Sequence, residues 1–490
     1  MNLDAFASPV SFLREMLPDL PLEPALGDYE AWWESEGKLI SAAVDRAGTP
    51  WLKMFDVFGR RVDEIQYIPD YWRMLKHGYK AGAVWRSFEA QSLIPAYLLG
   101  YVTSFYDMGL NCPYTVSVST AVPLDKYGDD ALKDRFLPPM LRRDDSVWQG
   151  ATWMTEIKGG SDLGAAVETM ARPAESRWLL SGDKYFCSNA HAEVAVVAAR
   201  MEGAPSGVRG LGLFLVPRYR EDGSLNFTIR RLKDKIATRS VPTGEVELRD
   251  SEGYLLGKPE WGIYLILEVL NLSRVSNALG SVAVAQRAFA EALHFARGRV
   301  AFGKPIIEHP LLKRQFAQRC DQLKRSFALA WESLRLMETV RHELPPYSDP
   351  FHLCRLVIHL AKYQTAELAV QMAKWAMEVH GGMGTLAEFG VERLLREAMI
   401  ADIWEGPPHR QILDGLEVME RKGAHHLLFA HLAPLADPAA LQDMTARVEH
   451  HLALDREEKE AGAQALFEAL AEFTAEALAS KMRAVAAPDR

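Results

Sequence analysis

The sequence predicts an α+β multidomain fold with an N-terminal helical domain, a central antiparallel β-domain, a C-terminal helical bundle and a helical extension. Three observations carry that reading. Apolar residues recur at helical spacing up to about Val147, the texture turns strand-like from about Trp148 to Lys258, and long helical stripes return from Trp261. The boundaries that follow are 1–147, 148–258, 259–423 and 424–490. A chain of 490 residues, at roughly 100–200 residues per domain, has room for about three compact units.

In the first block the segment Tyr71 to Val102 is helical in pattern, as is Asp129 to Arg143, which closes on the charged turn Arg142-Arg143-Asp144-Asp145. In the second, Val194–Val197, Leu211–Val216 and Leu225–Ile229 are short runs rich in β-branched and aromatic residues. Gly203 to Gly212 and Glu221-Asp222-Gly223 supply turns. In the third, Val275, Leu279, Val282, Phe289 and Leu293 share one face of a helix running to about Arg297. Ile358, Ala361, Thr365, Leu368, Met372, Trp375 and Val379 step by three and four, as bundle packing requires. Gly381-Gly382 stops that helix and Pro345-Pro346 separates it from the one before. The alanine-rich tail, Ala424 to Arg490, is set off by Pro434 and Pro438.

Composition narrows the class. A chain 48% hydrophobic and 25% charged is globular, not disordered or collagenous. No run nears the roughly 18 apolar residues of a membrane span. Met1 to Pro21 lacks the basic start of a signal peptide, so a soluble, cytoplasmic protein is expected. Cys112, Cys187, Cys320 and Cys354 lie far apart with no C-x-x-C pair, which predicts free thiols rather than disulfides or a zinc site. Lys+Arg 56 against Asp+Glu 65 gives a net charge of -9, which argues against a nucleic-acid protein.

Five segments carry chemistry. Met154-Thr155-Glu156-Ile157-Lys158-Gly159-Gly160-Ser161-Asp162 offers adjacent glycines, whose amides can approach an anion, and a serine donor. It has neither the Walker spacing nor G-x-G-x-x-G. Gly182 to Ala190 places Phe186 and Ser188 on one face of a strand, a platform for a planar ring and its edge. Arg299-Val300-Ala301-Phe302-Gly303-Lys304-Pro305 ends a long helix, and Glu378-Val379-His380-Gly381-Gly382-Met383-Gly384 is a glycine turn after another. Ile403-Trp404-Glu405-Gly406-Pro407-Pro408-His409 sets a carboxylate between a tryptophan and a Gly-Pro-Pro stop, where desolvation raises its pKa toward that of a useful base. Taken singly, each also reads as a loop, a strand end or a helix cap.

In this order and spacing the five together resemble the acyl-CoA dehydrogenase flavoprotein family, over about Asp56 to Met419. The resemblance implies that Met154, Thr155, Gly160 and Ser161 cradle FAD, and that Phe186 and Ser188 pack against and address its ring. It implies that Arg299 and Phe302 reach the FAD of a neighbouring subunit, hence a homodimer or homotetramer. Glu378 and Gly382 fall near the pyrophosphate, Trp404 and His409 beside the cofactor, and Arg274 on the CoA. Glu405 takes the place of the catalytic base. Ser273, where some members carry their base, has too high a pKa for that task; Glu268 is the one reserve.

Several features are similar to the AidB-like, alkylation-response branch: Phe55 to Asp63, Tyr67-Ile68-Pro69, Cys112-Pro113, Ile157-Lys158-Gly159-Gly160, Trp404-Glu405-Gly406 and the helical tail. In AidB the tail is implicated in DNA binding. Here His431 to Arg490 holds 11 acidic residues and 6 Lys+Arg, a balance opposed to phosphate contacts. Glu378 stands where many members have Gln, so it needs a cationic partner or a different orientation. Pro407-Pro408-His409 replaces Thr-Ser-Gln and stiffens the loop. The expected activity is α,β-dehydrogenation of an acyl-CoA thioester to the 2-enoyl-CoA, with electrons leaving to an electron-transfer flavoprotein or to oxygen. Two other readings stay open at this point: an AidB-like flavoprotein protecting nucleic acid with weak dehydrogenation, and a flavin-bound relative without turnover.

Overall fold

The computed structural model describes residues 3–485, so the last five positions of the expected tail lie outside the described residues. The chain divides into two compact units. One comprises Trp32–Thr103 and Asp107–Ser273, the other Met1–Ala31, Ser104–Tyr106 and Arg274–Arg490.

After a helix over Lys38–Ala47 the first unit forms a β-hairpin, β1 (Trp51–Phe55) and β2 (Arg61–Gln66), inside the block expected to be helical throughout. Its turn is fixed locally. The Asp56 carboxylate accepts from the amides of Phe58 and Arg60, at 2.8 and 2.9 Å, which folds the segment back before a helix can form. Helices α1 (Pro69–Ala81), α2 (Ile94–Tyr106), α3 (Met108–Tyr127) and α4 (Asp130–Met140) follow. The stretch Tyr71–Val102 is therefore not continuous. Gly82, at φ +113°, ends α1 in a left-handed conformation that glycine adopts without strain. Asp129 caps α4 by accepting from the Leu132 amide at 2.9 Å, a contribution of about 1 kcal/mol.

The middle block is one seven-stranded sheet: β3 (Gly150–Trp153), β4 (Met170–Ala174), β5 (Arg177–Ser188), β6 (Val194–Met201), β7 (Leu211–Pro217), β8 (Thr228–Leu232) and β9 (Thr243–Leu255). The order β3-β6-β4-β5-β9-β7, with β8 on β9, returns on itself because β6 also pairs with β7. The ladders are antiparallel except that β3 and β4 run parallel to β6. The run expected over Leu225–Ile229 enters the sheet only at Thr228. Asn226 explains the delay: its side chain donates to the Pro217 and Glu252 carbonyls and accepts from the Glu252 amide, holding that stretch outside the ladder. The core holds Trp153, Cys187, Val197, Phe214 and Phe227, with Trp153 and Phe227 edge to face at 4.9 Å.

Helix α5 (Gly262–Gly298) contributes residues from Arg274 onward to the second unit. A two-residue hairpin, β10 (Val300–Ala301) and β11 (Lys304–Pro305), leads to α6 (Pro310–Val340) and α7 (Asp349–His380). Next come α8 (Val391–Ile403) and α9 (Pro408–Lys422). The tail forms α10 (Ala424–Leu432), α11 (Pro438–Leu452) and α12 (Arg456–Val485). The α7 stripe from Ile358 to Trp375 is buried as its spacing requires. Three acids of α12 face this unit's own helices: Glu468 accepts from Tyr363 at 2.8 Å, and Arg325 bonds both Glu472 and Glu476. Among the described residues no helix is long and apolar enough to cross a membrane.

Candidate active site

The loop after β3 is fastened to the end of β5. The Tyr185 amide donates to the Thr155 carbonyl at 3.0 Å, and the Trp153 indole to the Ser188 carbonyl at 3.2 Å. These bonds bring Met154 and Thr155 beside Phe186 and Ser188. Phe186 and Ser188 share the strand face opposite the fully buried Cys187, and Phe186 is 54% exposed. Lys233 lies over that ring, 4.9 Å from its centroid.

Beneath the loop, Lys184 Nζ meets Glu156 Oε1 at 2.6 Å with both side chains buried. Glu156 also accepts from the Thr169 hydroxyl and from the amides of Glu168 and Thr169. Burial alone would raise its pKa, but Lys184 and these donors outweigh it and hold the carboxyl below its ordinary value. Gly160 passes directly over Thr155, where a Cβ would fall 2.5 Å from the hydroxyl oxygen. Ser161 is exposed just after the turn that the Glu156–Gly159 bridge closes. Among the described residues neither the Thr155 nor the Ser161 hydroxyl has a protein partner. Two free hydroxyls, a glycine that must lack a side chain and an open aromatic face are a donor set that fits a planar ring with an anionic tail, as FAD has.

In the second unit, Glu405 follows the C-terminus of α8 at φ +59°, a left-handed conformation that costs a non-glycine residue about 1 kcal/mol or more. Three neighbours hold it there. Arg274 Nε donates to its carbonyl at 3.0 Å, and Gln411 Nε2 donates to its carbonyl and to that of Gly406, at 3.0 and 2.9 Å. Asn277 donates to the Ala401 carbonyl and accepts from the Trp404 indole at 2.6 Å. Burial pushes the Glu405 carboxyl above its ordinary value, while Arg274 and Lys362 oppose the rise. A half-buried carboxyl of raised pKa on a clamped backbone is suited to take a proton from a weak carbon acid.

The other expected residues are placed as follows. Arg274 is buried and its guanidinium is engaged with Glu405 and Asp414 of its own unit. Arg299 is exposed at the base of the β10–β11 hairpin, and Phe302 stands at its tip, 96% exposed at φ +50°. Glu378 pairs with Lys374 one turn earlier, which supplies the cation its position required. Gly382 and His409 are exposed, the first in a short turn after α7 and the second in the first turn of α9. Glu268, the reserve base, accepts from Lys126 at 2.8 Å and from the Tyr127 hydroxyl at 2.6 Å, so it is held as an ion-pair partner.

Lys362, Asn277, Gln411 and the Lys184–Glu156 pair were not picked out from the sequence. Asn277 lies three residues after Arg274, on the same helical face, and Lys362 interrupts an apolar helix. Lys184 and Glu156 sit inside segments singled out for other residues. A charged residue within an apolar run is the signal Lys362 leaves.

Three family models match the chain. Residues 260–419 match the acyl-CoA dehydrogenase C-terminal domain and residues 151–251 the acyl-CoA dehydrogenase middle domain. The chain belongs to the acyl-CoA dehydrogenase family. Residues 22–145 match the N-terminal domain of the adaptive response protein AidB. Over 398 residues the chain is 30% identical to the putative acyl-CoA dehydrogenase AidB of Escherichia coli, covering 77% of this chain and 71% of that protein. The fold is also that of Caenorhabditis elegans ACDH-11 in complex with C11-CoA, at TM-score 0.85 and 24% identity, over 100% of this chain and 89% of that one. A Bacillus anthracis acyl-CoA dehydrogenase complexed with FAD aligns at TM-score 0.76 and 18% identity, over 99% and 83%.

Proposed function

We propose that the protein is an FAD-dependent oxidoreductase that dehydrogenates an acyl-CoA thioester to the 2-enoyl-CoA, with Glu405 as its base. The observation that carries the proposal is the half-buried Glu405 carboxyl on a backbone clamped by Arg274 and Gln411. When bound, FAD supplies the acceptor for the β-hydride. In this reading the Met154–Ser161 loop and Ser188 hold the cofactor by amides and hydroxyls, and Phe186 covers one face of its ring. Glu405 takes the α-proton, and its fixed backbone keeps its own amide in place to donate to the thioester oxygen as charge develops there. Arg274, first expected on CoA, acts by fixing Glu405. Trp404 is locked by Asn277 and so lines the site rigidly. Arg299 and Phe302, with Glu378, Gly382 and His409, serve the cofactor's distal end and the assembly of subunits. Electrons pass to an acceptor such as an electron-transfer flavoprotein.

Anaerobic titration of the FAD-loaded protein with a panel of acyl-CoAs tests this reading. Bleaching of the visible flavin bands by at least one chain length supports it, and no bleaching by any of them removes it.

The match to AidB supports a second reading, a nucleic-acid-protecting flavoprotein. Against it stand the acidic tail and the engagement of its cations Arg456 and Lys459 by Glu460 and Glu420. Retention of duplex DNA at low salt would favour it.

A further inference from the structure

Lys362, in the middle of α7, is fully buried, and among the described residues its ammonium makes one bond, to the Asp402 carbonyl at 2.6 Å. No carboxylate oxygen of the described residues lies within ion-pair distance of it. A buried ammonium without a carboxylate partner is expensive, and a neutral donor would serve a single carbonyl equally well. The charge therefore needs another beneficiary.

Asp402 lies in the last turn of α8, three residues before Glu405. The carbonyls of 401, 402, 405 and 406 are held from three different helices, by Asn277 and Arg274 of α5, Lys362 of α7 and Gln411 of α9. Of these holders only Arg274 and Lys362 are cations. We propose that Lys362 is a positioning residue for Glu405: its ammonium anchors the turn that carries the base and supplies positive charge to the Glu405 carboxylate. This rests on Glu405 being the base.

The charged groups around the pair are consistent with that role. Lys362 faces Asp402 of α8, Arg274 of α5, Glu405, and Glu367 of its own helix. Glu405 faces Arg274 and Lys362. Arg274 is in turn surrounded by Asp414 and Arg410 of α9 and Arg355 of α7, with His359 beyond. Burial brings Lys362 down to about 8, with Asp402 and Glu405 opposing the fall and Arg274 adding to it. It is therefore protonated through the range in which a carboxyl ionises.

The test uses FAD-loaded full-length protein. Lys362→Met removes both donor and charge; Lys362→Gln keeps a donor for the Asp402 carbonyl. The acid limb of the acyl-CoA-dependent flavin reduction profile is expected to move up by about one pH unit in both variants. An acid limb left in place in Lys362→Gln, whatever its rate, overturns the proposal. A second measurement does not depend on those variants folding or on turnover. Coupling is reciprocal, so in protein labelled with 13C at lysine Cε the Lys362 titration midpoint falls in Glu405→Gln. An unchanged midpoint also overturns the proposal. If the protein bleaches with no acyl-CoA while this midpoint still moves, the base reading fails and the Lys362–Glu405 coupling stands.

Discussion

Arg274 Nε donates to the backbone carbonyl of Glu405 at 3.0 Å, and the same guanidinium reaches Asp414 at 3.5 Å. One planar group thus ties Glu405, at φ +59°, to helix α9. Arg274→Lys keeps the charge but cannot serve both partners. Loss of a charge-assisted hydrogen bond, about 1.5–3 kcal/mol, translates into a flavin reduction rate lower by roughly 10- to 100-fold. Stopped-flow reduction is expected to show that fall with the acid limb of the profile unmoved. In Arg274→Gln the charge goes as well, and the limb moves up.

The Lys184–Glu156 pair fastens the Met154–Ser161 loop to β5. Lys184→Met leaves a buried carboxylate unpaired and is expected to destabilise the protein by about 3–5 kcal/mol in urea unfolding followed by tryptophan fluorescence. Lys184→Met/Glu156→Leu recovers much of that loss. The sign with pH follows from the depressed Glu156 value. Its contribution is complete above the ordinary glutamate range and disappears as the pH falls through the lower folded value. The same unfolding measured between neutral and acid pH is expected to lose stability on the acid side in wild type, and to lose less of it in the double variant.

The helix–sheet–helix order was legible because periodicity reports burial on one face, and the α7 stripe and the β6 and β7 runs are buried as their spacing requires. What stayed hidden came from side chains acting on backbone. Asp56 turned a segment of the N-terminal block into a hairpin, and Asn226 kept an apolar run out of the sheet. Glu405 was legible from its neighbours in sequence. Its holders were not, because Arg274, Lys362 and Gln411 come from three helices and only folding brings them to one turn. Motif reading found Glu405 and passed over the residues that hold it.

Phe302 is 96% exposed at a hairpin tip and sits at φ +50°, where glycine would be unstrained. Phe302→Gly is expected to leave the melting temperature unchanged or slightly raised while weakening self-association by about tenfold, the loss of one aromatic anchor. Sedimentation equilibrium across a concentration series checks this. Unaltered association means the ring is not an interface anchor.

Glu468, Glu472 and Glu476 of α12 are engaged with Tyr363, Gln364 and Arg325, and the tail carries few cations to meet phosphate. Fluorescence anisotropy with labelled duplex DNA is expected to show no binding at 50 mM salt, a concentration at which a protein using several phosphate contacts binds well.

The base assignment has its own direct measurement: the rate of anaerobic flavin reduction by the best acyl-CoA, compared between wild type and Glu405→Gln loaded with equal FAD. The glutamine keeps size and backbone but cannot accept the α-proton. The rate is expected to fall by at least about a thousandfold, within the range that general-base loss produces, while acyl-CoA still binds. Reduction at a rate near that of wild type would contradict the assignment and move the chemistry to another residue.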